Sequence, residues 1–221
     1  MEQVKADKAM YGFARGAAYG WYEGLTDKPV AFSKSRYWSN LFHLFPESKI
    51  LVTVRDLRDV VESFEKLENK TLATHTYTSS DSTLLAAMTV EEKLNYYVYQ
   101  PNPMTLSLRT EIPRGIELFP TKRVMFVRYE DITRAPEEML KKIYNFIEEP
   151  YFDHNLNDIS QNENYEHDNV YYAEKISHST KSVFKYYKEP DRKLPQWFHN
   201  QVVSNNPFFY NSFYPDVKVD K

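Results

Sequence analysis

The sequence predicts an α/β fold, a central parallel sheet flanked by helices, on three observations. The run Ile50-Leu51-Val52-Thr53-Val54 is short, apolar and rich in β-branched residues, which suits a strand buried on both faces of a parallel sheet. It stops at a charged turn, Arg55-Asp56-Leu57-Arg58-Asp59, after which Val60, Val61, Phe64 and Leu67 recur at helical spacing. The same order of strand, charged corner and helix returns at Arg123–Tyr129, where Pro136 then opens a helix with Met139, Leu140, Ile143 and Ile147 on one face.

Taken in order, residues 3–23 read as a helix, with Val4, Ala9, Phe13, Ala17 and Trp21 on one side. Gly12, Gly16 and Gly20 weaken that helix but, at spacing four, would let it approach another backbone closely. After a break at 24–29, Val30-Ala31-Phe32-Ser33 is a further strand candidate. A helix over Ser39–Phe45, closed by Pro46, would then lead into the 50–54 strand and complete a βαβ unit. Residues 71–88 are polar and rich in Ser and Thr, as a loop would be. Thr89 and Glu92 form a capping box that opens a helix to about Tyr99, stopped by Gln100-Pro-Asn-Pro103.

A second helix is expected from about Thr105 to Leu118, with Pro113 and Gly115 interrupting it. Pro150 ends the helix that Pro136 begins, and 151–172 reads as loop. Leu194-Pro-Gln-Trp-Phe198 starts a last short helix, and the aromatic stretch 205–215 is expected to be irregular and to pack back on the rest. With no internal repeat, the 221 residues are expected to form a single domain, with an aromatic tail over 195–221.

Composition narrows the function. The formal net charge is -3 and the sequence pI about 6.1, so no general attraction to nucleic acid or anionic membrane is expected. No apolar run approaches the roughly 20 residues of a membrane span. The first eight residues lack the apolar core of a signal peptide. The absence of cysteine excludes disulfides, thiolate metal sites and a cysteine nucleophile. A soluble, cytoplasmic protein is the expectation.

The candidate chemistry starts at Arg55. An arginine leaving the carboxyl end of a parallel strand stands where ligands bind in open α/β sheets, and its planar fork matches phosphate oxygens. Ser63 follows about two helical turns later and offers a hydroxyl. The competing reading is a solvated charged turn, with Arg55 paired to Asp59 or Glu62.

The segment Val54-Arg55-Asp56-Leu57-Arg58-Asp59-Val60-Val61-Glu62-Ser63-Phe64 resembles the 3′-phosphate motif of the sulfotransferases that use 3′-phosphoadenosine 5′-phosphosulfate (PAPS). Leu57 stands where the motif usually has proline. Val127-Arg128-Tyr129-Glu130-Asp131-Ile132 resembles a second segment of that family, and Phe32-Ser-Lys-Ser-Arg-Tyr-Trp38 is similar to its lysine-bearing turn. His178-Ser-Thr-Lys181 is similar to a C-terminal element that covers the nucleotide. The resemblance, strongest over 29–190, implies a P-loop-like three-layer fold, with PAPS as sulfuryl donor and no metal. It implies that Arg55 and Ser63 hold the 3′-phosphate, that Lys34 neutralises the leaving oxygen, and that Tyr129, Lys181 and His178 line the nucleotide.

Two features of the family are not found. No strand followed by a Gly-rich phosphosulfate loop precedes residue 30. Where cytosolic relatives carry a histidine two residues after the lysine, this chain has Arg36, and no general base is assigned. Two functions follow: sulfuryl transfer to a hydroxyl or amine of a small-molecule, carbohydrate or protein acceptor, or a non-catalytic nucleotide- or anion-binding module. A nucleotide kinase would need a GxxxxGK[ST] loop, which is absent. An exposed sheet edge left by a missing first unit would favour pairing with another chain, so a homo-oligomer is possible.

Overall fold

A computed structural model describes residues 2–25, 27, 30, 32, 34, 38–45, 47–74, 87–159, 183–188 and 190–218. The chain divides into two compact units, one of residues 1–51 and 106–125, the other of 52–105 and 126–221. Two strands, β1 (Ile50–Val54) and β2 (Val124–Arg128), pair in parallel to form the sheet among the described residues, and the division falls inside both. The mixed helix-and-strand architecture agrees with the α/β expectation. Val30 and Phe32 lie outside any strand and are exposed, so the strand expected at 30–33 is not seen at its described positions. β1 also differs from a strand buried on both faces: Val52 and Val54 are buried while Thr53 is exposed, the alternation of a half-covered sheet.

In the first unit, α1 (Glu2–Leu25) packs on α2 (Ser39–Leu44). Arg15 Nε donates to the Leu44 carbonyl at 2.6 Å, and Tyr19 meets Phe45 edge-on. The expected close approach at the glycines is not met among the described residues: a Cβ added at Gly12, Gly16 or Gly20 would touch none of them within 4 Å. The helix expected over 105–118 is two helices, α5 (Pro103–Arg109) and α6 (Glu111–Leu118). Pro113 has no N–H to give the Arg109 carbonyl, so the helix breaks at Thr110. Buried Glu111 accepts from the Ser39 amide at 2.8 Å and from its hydroxyl at 2.9 Å. That carboxylate satisfies orphan donors at the start of α2. Arg123 lies over the Phe42 ring and donates to the Phe45 carbonyl at 2.9 Å, holding the α2 exit.

The second unit is built on α3 (Leu57–Thr74), which runs into the stretch expected to be loop. Leu57 and Val61 are buried, whereas Phe64 is partly exposed and stacks on Tyr97. Thr89 caps α4 (Val90–Leu94) with both bonds of the capping box present. That helix continues as a single π-helical turn, Asn95–Tyr99. β2 leads into α7 (Tyr129–Arg134) and α8 (Pro136–Ile147), the latter with proline at its first turn as expected.

Residues 151–159 form no helix or strand, in line with the loop expectation for that part of 151–172. The C-terminal segment forms α9 (Gln196–Ser204) and α10 (Pro207–Phe213). The second of these corrects the expectation of an irregular end. Pro207 supplies a preset first helical residue, and Phe209 and Tyr210 are buried by it. The core of this unit is Val54, Val61, Val127, Phe198, Val202 and Tyr210.

Thr89→Ala removes the cap of a five-residue helix. It should lower unfolding free energy by about 1 kcal/mol in urea denaturation.

Candidate anion site

Arg55 is the first residue beyond β1 and Tyr129 the first beyond β2, so parallel pairing puts the two at adjacent strand ends. The Arg55 guanidinium lies over the Tyr129 ring, 4.5 Å from its centroid. Arg55 Nε is buried and has no hydrogen-bond partner among the described residues. A buried cationic donor left unpaired is costly, on the order of 1–3 kcal/mol or more, unless something outside the chain supplies an acceptor. Tyr129 keeps part of its ring exposed.

The acids around Arg55 have other partners. Asp56 is gripped by Arg58, whose amide and Nε both donate to Oδ1 at 3.0 Å, and it also accepts from the Tyr210 hydroxyl at 3.0 Å. Asp59 accepts from Arg192 Nε at 2.8 Å. Glu62 Oε1 accepts from the amides of Lys193 and Leu194, each at 2.7 Å, and lies 3.1 Å from His199 Nε2. Glu130 Oε1 accepts from the Asp56 amide at 3.2 Å, and its Oε2 accepts from the Tyr214 hydroxyl at 2.8 Å. The reading of Arg55 as hydrogen-bonded to Asp59 or Glu62 therefore gives way: Arg192 and the 193–199 segment occupy those carboxylates, while the charge of Arg55 still acts on Asp59 from a distance.

Burial and pairing compete in this network. Burial works against the charge of Asp56, but the hydrogen bonds and charge of Arg58 prevail and hold it below the ordinary carboxylate range. At Asp59 burial outweighs Arg192 and pushes the carboxyl up. Burial raises the phenols of Tyr210 and Tyr214, each of which donates to a carboxylate that favours its neutral form. Burial likewise lowers His199, against the pull of Glu62 and with help from Arg192. The imidazole is thus held neutral, with Nε2–H donating to Glu62, while Nδ1 and Glu62 Oε2 are buried without partners among the described residues.

Of the residues singled out from sequence, Arg55 and Tyr129 are in contact. Ser63 is exposed on the second turn of α3. Lys34 belongs to the first unit and is exposed. His178 and Lys181 lie outside the described residues. The residues not foreseen are Arg192, His199, Tyr210 and Tyr214, whose partners are more than eighty positions away. The one local signal was the three-residue spacing of Asp56, Asp59 and Glu62, which lines three acids along one side of the turn and the start of α3, all of them buried. Among the described residues, no group of three or more His, Asp or Glu side chains could hold a metal ion, and no helix is long and apolar enough to cross a membrane.

An α/β chain with an unpaired, stacked arginine at the carboxyl end of a parallel strand has the makings of an anion-binding protein. Residues 18–153, more than half of the chain, match the family model described as the Sulfotransferase family, and the chain belongs to that family. No curated protein and no solved structure matches it.

Glu62→Ala would leave two amide donors of the 193–194 segment and His199 without their acceptor. It should destabilise the protein by about 3 kcal/mol in urea denaturation, with faster amide exchange at Leu194.

The His199 pKa sets a pH dependence. Its folded value lies below the unfolded value of 6.5, so below that pH the unfolded chain binds more protons. Stability is complete above the unfolded value and falls as pH drops through it toward the folded one. Denaturation midpoints at neutral and mildly acidic pH should show this loss, with a smaller slope in His199→Gln.

Proposed function

We propose that this chain is a PAPS-dependent sulfotransferase on a P-loop-like three-layer fold, acting in the cytoplasm. Family membership supports sulfuryl transfer in general. In the reaction proposed, the bond from sulfur to the oxygen bridging the 5′-phosphate breaks and a bond from sulfur to an acceptor oxygen or nitrogen forms. Adenosine 3′,5′-bisphosphate leaves, and the acceptor loses a proton. The acceptor is a hydroxyl or amine of a small molecule, carbohydrate or protein. A chain without cysteine accords with a reducing compartment.

The observation that carries this reading is the state of Arg55. Its Nε is buried and unpartnered, its guanidinium is fixed on Tyr129, and Asp56, Asp59 and Glu62 all have other partners. Such a group is preorganised for an anion, and a phosphate would accept from it in the two-pronged geometry arginine favours. In our reading Ser63 adds a hydroxyl to the 3′-phosphate, and Tyr129, His178 and Lys181 line the nucleotide. Lys34 supplies the charge that neutralises the leaving oxygen, a kind of contribution worth about a hundredfold or more in rate. The motif resemblance is what supports these four roles and that of Lys34.

Calorimetry with adenosine 3′,5′-bisphosphate tests the proposal. Arg55→Ala should weaken binding by roughly ten- to a hundredfold, the loss of about 1.5–3 kcal/mol from a charged hydrogen bond. Its far-UV spectrum should stay as in the wild type, and its melting temperature should not fall. Equal affinity in the two proteins, or no binding by either, would overturn it.

A further inference from the structure

The nucleotide reading leaves unused a cleft of about 410 Å³ in the second unit. Its walls are Glu137 from the first turn of α8, Asp153, His154, Asn155 and Asn157 from the stretch after that helix, and Tyr186. Small-molecule sites have volumes of roughly 300–1,000 Å³.

The chain itself holds these walls in place. His154 Nε2 lies 3.0 Å from the Tyr144 hydroxyl, and its ring meets Phe152 edge-on. The Asn155 side chain accepts from the Asn157 amide at 3.1 Å, and the Asn155 carbonyl accepts from the Asp158 amide at 3.0 Å. Such a turn is one that asparagine closes with its own side chain. Tyr186 sits between two pinned residues: the Phe184 amide donates to the Leu156 carbonyl at 2.9 Å, and the Tyr187 amide to the Thr133 carbonyl at 3.0 Å. A cleft built this way is preformed, which lowers the ordering cost of binding.

Its chemistry narrows the occupant. Glu137 and Asp153 give the lining two negative charges, and no lysine or arginine is among the lining residues. Burial raises the nearby Tyr151 phenol, and the charges of Asp153 and Glu137 both add to the rise, so the fields of the two acids overlap there. A nucleotide or a sulfated ligand would be repelled. Leu156 is the one aliphatic side chain in the lining, too little to bury the methylenes of a polyamine. The amides of Asn155 and Asn157 suit hydroxyls, which both donate and accept. Tyr186, 61% exposed, offers an aromatic ring on which the C–H face of a pyranose can pack.

We propose that this cleft binds an amino sugar, with its ammonium held by Glu137 and Asp153, its hydroxyls by the two asparagines and its ring on Tyr186. The carboxylates supply charge-assisted hydrogen bonds, the stronger kind, while the asparagines and Tyr186 select a sugar over other amines. No residue of the Arg55 site takes part, so the fate of this site is separate from that of the nucleotide reading.

Calorimetry of the full chain with a β-1,4-linked glucosamine trimer tests the proposal, with the N-acetylated trimer and trilysine as comparisons. The glucosamine trimer should bind roughly ten- to a hundredfold more tightly than the N-acetylated one, the worth of a charged hydrogen bond, and more tightly than trilysine. Glu137→Gln combined with Asp153→Asn should abolish that preference, and Tyr186→Ala should weaken the glucosamine trimer about tenfold. All three positions are exposed, so far-UV spectra should match the wild type. Arg55→Ala should bind the trimer as the wild type does. No binding by the wild type, equal affinity for the two trimers, trilysine binding as tightly as the glucosamine trimer, or full affinity in Tyr186→Ala would each overturn the assignment.

Discussion

The second unit depends on a buried set of carboxylates. Asp56, Asp59, Glu62 and Glu130 are all nearly inaccessible, and each is neutralised or hydrogen-bonded by something far away in sequence. Charges taken out of water are stabilising only when their remaining lone pairs are satisfied, and removing one partner leaves an uncompensated charge. These four acids therefore dictate where the C-terminal segment must go. Arg192 is drawn to Asp59, the 193–194 amides and His199 to Glu62, Tyr210 to Asp56 and Tyr214 to Glu130. The aromatic residues of α9 and α10 follow, and Phe198, Val202 and Phe209 complete the core that these polar contacts orient.

The same network explains the state of Arg55. An arginine next to three carboxylates would ordinarily be paired. Here the carboxylates are occupied largely by residues brought in from the C-terminal end, and Arg55 is left with no hydrogen-bond acceptor at its buried Nε among the described residues, a state the Nε of Arg128 shares. Arg58, three residues further on, is spent on Asp56 with two side-chain nitrogens. The two arginines of the Arg55-Asp56-Leu57-Arg58 turn thus divide the work, one holding the corner together and the other left available. Tyr129 completes the arrangement by giving Arg55 an aromatic face, which fixes the guanidinium without consuming a hydrogen-bond donor. Arg128 is treated similarly on Tyr214, but two carboxylates stand 3.7 and 3.9 Å from its Nε, so its charge is offset within the chain.

What the sequence made legible was local. The five-residue strand at 50–54, the capping box at Thr89 and Glu92 and the proline start at Pro136 all rest on signals within a few positions. What it concealed was long-range. The pairing of Glu62 with the 193–199 segment spans more than 130 positions, and nothing in the local pattern of α3 tells a buried acid from a solvated one. The stretch 205–215 looked irregular because aromatic and asparagine residues are poor helix formers. α10 forms there because its phenol hydroxyl and rings have a preformed place to go. Propensity lost to tertiary contact. At 30–33 the error ran the other way: a short apolar run satisfied the pattern of a strand, yet Val30 and Phe32 are exposed and unpaired with either strand.

Asp56 and Glu130 tie the two strand-end motifs to each other as well as to the C-terminus. The Asp56 amide donates to Glu130 while the Asp56 carboxylate receives Tyr210, and Glu130 in turn receives Tyr214. The residue after Arg55 is thus bonded to the residue after Tyr129, a strut directly behind the stacked pair. Any shift of one strand end against the other would have to break a buried hydrogen bond to a carboxylate, which is among the stronger contacts a protein makes. The geometry of the Arg55–Tyr129 pair is therefore set by residues that never face a ligand. An acid conserved in charge but shortened, such as aspartate at position 130, would keep the charge and lose the reach to either Asp56 or Tyr214. The acidic residues of these motifs hold the corner rigid, and Arg55 stays stacked on Tyr129 without a hydrogen-bond acceptor at its Nε among the described residues.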